Sequence, residues 1–154
     1  MLQILLITNL THAKPVQIEG WKQTPELRIC WNSQMEPVLV REALSYLSEH
    51  HDVGLDINNI TITTNNFCGV PRSLQRGAIY IDNYEVIDDI LAKTRTNATL
   101  FEDEKILPSL NYAYIQYPNA LLKYDDAAFI LAHELGHAFG LEHDDTDHLM
   151  KTYY

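Results

Sequence analysis

Apolar and polar positions alternate over residues 26–31, with Leu27, Ile29 and Trp31 on one face, which predicts a β-strand. The period then changes. From about residue 36 to residue 50, Val40, Ala43, Leu44 and Leu47 recur at helical spacing, and Pro37 suits a first helical turn. Residues 60–64 are dense in β-branched side chains and predict a second strand. Strand, helix and strand in this order form a βαβ unit, whose two strands run parallel. Residues 77–82 predict a third strand. Residues 83–94 put Val86, Ile87, Ile90 and Leu91 on a short helix, and the polar stretch 94–105 reads as a loop. Residues 110–117 predict a tyrosine-rich strand ended by Pro118. The final helix covers about 125–139, with Asp125 and Asp126 at the end where the helix dipole favours negative charge. The expected fold is α+β or α/β: a mixed, mostly parallel sheet, a backing helix, and a second helix leading into a functional C-terminal segment.

Residues 1–25 form an N-terminal extension in this reading, and residues 26–154 a single domain. The apolar opening fits the core of a secretion signal, yet no Lys or Arg precedes it; it fits an ordinary strand as well. Residues 14–25 hold two prolines and a glycine and read as a connector. A chain of 154 residues buries roughly 70% of its unfolded surface without help from disulfides or partners, and a monomer is expected. Its 46% hydrophobic content argues against a disordered chain. The 11 basic against 21 acidic residues, a net charge of −10, argue against nucleic acid and anionic membranes as partners. No apolar run approaches the ~20 residues of a membrane span. Two cysteines allow one bridge or two free thiols.

The seven histidines change the picture, because four of them (His133, His137, His143 and His148) lie in the last 22 residues. His133 and His137 are four apart, so both imidazoles project from one helix face and can reach one metal ion. Glu134 is rotated roughly 100° from His133, beside such a metal rather than on it, where it can act on a water. On a continuous helix His143 would lie about 15 Å beyond His133. The chain must therefore turn after His137, and Gly140 is the residue that accepts the left-handed backbone of a helix end. Three neutral imidazoles leave one position open on a tetrahedral Zn²⁺, as in catalytic rather than structural sites.

The segment HELGHAFGLEHD, residues 133–144, resembles the long metzincin motif H-E-x-x-H-x-x-G-x-x-H, with the Asp of the matrixin-like branch after the third His. Met150, seven residues after His143, fits the family's Met-turn, and Tyr153 follows it as a tyrosine does in matrixins. The resemblance is specific over residues 133–154; from residue 26 onward only the order of elements matches. It implies a twisted sheet, a backing helix, an active-site helix and a Met-turn. It also implies a zinc metallopeptidase with His133, His137 and His143 as ligands and Glu134 as general base. A peptide or protein is the implied substrate, lying extended along an edge strand. Residues 110–117 are the first candidate for that edge and residues 77–82 the second. Tyr153 is a candidate wall of the substrate pocket. Secretion follows by family analogy only. The alternative is a silent, zinc-stabilised binding module that keeps the metal and lacks turnover.

Some features depart from the family. Cys68-Gly69-Val70-Pro71 equals the centre of the matrixin cysteine switch, but it stands inside the domain rather than before it. Cys68 is thus either an inhibitory thiol, a loop thiol, or half of a bridge to Cys30. His148 reads as an exposed loop histidine. Structural Ca²⁺ occurs in matrixins, and Asp82, Asp88, Asp89 and Asp103 could supply oxygens, but no loop has calcium spacing. Residues 133–154 carry five acidic residues and one Lys, a local field that favours a cation and basic substrate groups.

Overall fold

The computed structural model describes residues 2–7, 20–21, 23–31, 33–68, 77–84, 92–100 and 109–152. The alternation around Leu27 gives β2, Glu26–Cys30, in which Leu27 and Ile29 are buried on one face. α1, Pro37–His50, turns Val40, Ala43, Leu44 and Leu47 inward, with the proline in its first turn where no amide proton is missed. β3, Ile62–Asn66, follows and pairs parallel with β2, as the βαβ reading requires. Ile60, expected in that strand, instead closes a short 3₁₀ turn and is buried.

β4, Ala78–Tyr84, pairs parallel with β2, and β6, Ser109–Pro118, pairs parallel with β4. Between them in sequence lies β5, Lys93–Leu100, antiparallel to β6. Residues 94–100 are therefore strand, not the expected loop. The polar side chains that hid the strand include Thr94 and Thr96, both buried in the structure. The ends of the expected helix over 83–94 belong to β4 and β5; its centre, 85–91, lies outside the described residues. β1, Leu2–Ile7, pairs antiparallel with β5, so the apolar opening is a strand.

The sheet order is β1-β5-β6-β4-β2-β3. Three neighbouring pairs are parallel and two antiparallel, so the fold is α+β with a mixed, mostly parallel sheet. This order corrects the expected substrate edge. The strand over 110–117 is β6, hydrogen-bonded on both sides by β5 and β4, and the strand over 77–82 is β4, held between β6 and β2. Neither has a free row of amides to offer.

α2, Ala127–Ala138, shares one core with α1 on a single face of the sheet. Leu27, Ile29, Ile79, Ile81, Ala113, Ile115 and Tyr117 meet Leu44, Leu47, Leu131 and Leu135 there. Side chains one position away point to the other face, where Cys30, Ala78 and Tyr80 form a smaller cluster. The connector before β2 also packs. The Trp21 indole donates to the Ala138 carbonyl at 2.9 Å, covering the last turn of α2. Among the described residues, no helix is long and apolar enough to cross a membrane.

Candidate metal centre

α2 carries the candidate ligands because its sequence lets it be buried almost all round. Nine consecutive or near-consecutive residues, Ala127 and Leu131 to Ala138, are buried, among them His133, Glu134 and His137. Such a helix must end abruptly to bring His143 back. Gly140 does this with φ +97°, donating to the His137 carbonyl at 3.0 Å while Leu141 donates to the Gly136 carbonyl at 2.9 Å. The pair of bonds satisfies carbonyls that a helix end leaves bare. The turn has a second effect: it brings the Leu141 carbonyl 2.8 Å from His137 Nδ1.

The chain then closes a loop on itself. Asp144 N donates to the Met150 carbonyl at 2.9 Å, and the Leu149 carbonyl stands 2.7 Å from His133 Nδ1. A carbonyl only accepts, so Nδ1 of both His133 and His137 must carry the proton. In a neutral imidazole the Nε2 atom is then a bare lone pair. Nε2 of His137 lies 3.1 Å from that of His133 and 3.0 Å from that of His143, and the third separation is 3.3 Å. Two lone pairs facing each other at such a distance repel unless a cation lies between them.

The imidazoles are held neutral by burial. It lowers the pKa of His137 from 6.5 to about 3, and lowers those of His133 and His143 as well. The neighbouring histidines push the same way at His137, while the Leu141 carbonyl opposes. Such imidazoles could bind a metal without first losing a proton. Zinc–nitrogen bonds of 2.0–2.1 Å at tetrahedral angles put nitrogens about 3.3 Å apart, close to the three separations seen. Among the described residues, the group able to hold a metal is His133, His137 and His143. The donor set fits a first-row divalent ion.

Glu134 stands outside that group. Its carboxylate is 4% exposed and accepts a hydrogen bond from the Thr94 hydroxyl on β5, which also lies 3.0 Å from the Glu134 main-chain carbonyl. Burial raises its pKa from 4.5 to about 7, and the Thr94 bond works against the rise. A carboxyl poised there can hold or release a proton near neutral pH.

The remaining sequence candidates divide. Met150 is buried against Gly136, the turn between the two helical ligands: a Cβ on Gly136 would lie 2.5 Å from Met150 Sδ. Cys68 is bonded to Cys30, so it has no thiol to offer a metal, and the inhibitory role is replaced by a bridge closing 38 residues. His148 packs its ring against Phe129, with centroids 5.3 Å apart, rather than joining the ligands. Asp82 accepts a hydrogen bond from the Tyr114 hydroxyl, whereas Asp88, Asp89, Asp103 and Tyr153 lie outside the described residues. Sequence reasoning missed Thr94 and the two orienting carbonyls. Only the alternation of Thr94 and Thr96 could have exposed the first. No family model, no curated protein and no solved structure matches this chain.

Proposed function

We propose that the chain is a zinc-dependent peptide hydrolase of the metzincin type. The observation that carries this reading is the convergence of three Nε2 atoms, two of them left unprotonated because main-chain carbonyls hold the proton on Nδ1. A buried carboxyl next to the first ligand adds the second requirement of hydrolysis.

His133, His137 and His143 would hold the ion. Zinc, when bound, supplies Lewis-acid activation of water and of the scissile carbonyl. Glu134, in its ionised form, takes a proton from the attacking water and returns it to the leaving amine. The Thr94 hydroxyl engages one carboxylate oxygen, Oε2, and thereby limits the rotation of the group. The same residue seats β5 against the site, where β5 is held between β1 and β6. The Cys30–Cys68 bridge favours an oxidising compartment, in keeping with a secreted hydrolase.

The test compares zinc-loaded wild type with Glu134→Ala on a denatured protein substrate, with the zinc content of both measured. The expected loss of rate is about 10²–10⁴-fold at equal zinc content. Equal rates would remove the hydrolase reading and leave a zinc-stabilised binding module.

A further inference from the structure

His133 depends for its orientation on the Leu149 carbonyl, and that carbonyl belongs to a loop, not to a helix or strand. Something must hold the loop. The Asp147 carboxylate does so from inside: its Oδ1 accepts from the Leu149 amide at 2.8 Å and from the Met150 amide at 3.1 Å. These two bonds fix the peptide planes on either side of Leu149, and so the direction of its carbonyl. The second oxygen, Oδ2, lies 2.6 Å from the buried His51 Nε2, a close polar contact without hydrogen-bond alignment. His51 is the residue that ends α1, where its amide donates to the Leu47 carbonyl at 2.8 Å. Both side chains of the pair are 21% exposed, although the Nε2 atom itself is buried.

We infer that Asp147 and His51 are positioning residues of the metal site, a clamp running from the end of α1 through Asp147 to the Leu149 carbonyl and His133. The inference rests on the metal-binding half of the proposed function and not on hydrolysis. Its two halves have separate tasks. Asp147 sets the tautomer and aim of His133 by holding the carbonyl that Nδ1 bonds. His51 holds Asp147 to a helix packed in the core, so that the loop cannot drift away from α2. The clamp joins elements nearly a hundred residues apart in sequence, which the loop could not do with its internal bonds alone. Those internal bonds, from Asp147 N to the Asp144 carbonyl and from Thr146 to the Asp144 carboxylate, tie the loop only to itself.

The experiment measures zinc affinity by chelator competition, and the visible absorption of the Co²⁺-loaded protein as a readout of ligand geometry. Asp147→Ala is expected to weaken zinc binding at least about tenfold, the scale of losing a partner that orients a ligand, and to weaken the tetrahedral Co²⁺ bands. Asp147→Asn keeps an oxygen for the two amides and is expected to recover most of that loss. His51→Ala leaves the amide bonds in place and is expected to cost about threefold, the scale of a partly exposed polar side-chain contact. Thr146→Ala removes a bond of the same loop that lies off the clamp, and is expected to bind zinc as wild type does. If Asp147→Ala does not fold, His51→Ala decides. Wild-type affinity in either of these two variants would overturn the inference, as would a loss in Thr146→Ala equal to that in Asp147→Ala. Failure of the wild type to bind zinc would instead overturn the metal reading itself.

Discussion

Replacing Glu134 by Gln separates the burial of the carboxyl from its chemistry. Gln keeps the shape and can still bond Thr94, but it cannot ionise. In the folded, metal-free chain the Glu134 pKa is raised from 4.5 to about 7, first by burial. Below pH 4.5 the carboxyl is protonated in both folded and unfolded chains and costs nothing. Between 4.5 and about 7 only the unfolded chain releases the proton, so wild-type stability falls as pH rises. The fall is about 1.4 kcal/mol per pH unit, and over that interval about 3 kcal/mol. Above pH 7 both states are ionised and the deficit is constant. The buried histidines act oppositely. Their lowered pKa values contribute stability above pH 6.5 that is lost as pH falls, but they are common to both proteins and cancel in the difference. Urea unfolding of chelator-treated wild type and Glu134→Gln, from pH 4 to pH 8.5, therefore has a defined outcome. The variant gains on wild type through the interval and holds an advantage of about 3 kcal/mol above it. Parallel pH profiles for the two proteins would refute the argument that Glu134 is held in a dry site.

Two further experiments test the packing beside the site and on the opposite face of the sheet. Gly136→Ala drives a methyl into Met150 Sδ, an overpacking cost of about 1–3 kcal/mol against a helix-propensity gain of about 1 kcal/mol. Calorimetry of the metal-free chain should show a lower melting temperature. In a Met150→Ala background the same change should stabilise, and the same sign in both backgrounds would refute the contact. Removing both cysteines, as Cys30→Ser with Cys68→Ser, frees a loop of 38 residues and should cost about 4 kcal/mol in denaturant. Zinc affinity should be retained, because Cys30 clusters with Ala78 and Tyr80, one step in register from the side chains that meet α2. Loss of zinc binding at full folding would contradict that separation.

The parts of the fold that could be read from the chain were those where one face is apolar. Leu27 and Ile29, and Val40 to Leu47, announced β2 and α1 because burial and period coincide. β5 was misread for the opposite reason: its inward positions include Thr94 and Thr96, whose hydroxyls are buried, so polarity no longer reported exposure. The error about the substrate edge has a different origin. Strand order in space depends on crossovers and on which edge the last strands join, and β6 looks the same in sequence whether or not β5 returns beside it. The ligand trio was legible because it depends on helix pitch and one glycine. Its orientation was not, since Leu141 and Leu149 act through carbonyls that every residue possesses. Asp147 acts through an Asx turn, a pattern too common to single out without the histidine it serves.

Chain separation divides the site into two populations of contact. The ligands lie within ten residue steps of one another, whereas Thr94 and Glu134 are 40 apart. Closing the longer loop costs two further doublings of length, about 1.2 kcal/mol, and requires β5 to be seated between its neighbours. Loosening of β5 thus admits water to the carboxyl and removes its hydroxyl partner while the three imidazoles stay together. A preparation in which the three imidazoles hold a metal can thus still contain molecules whose Glu134 carboxyl is wet, exposed and of ordinary acidity. Metal stoichiometry counts intact ends of α2; it does not count competent sites, which need titration of their own.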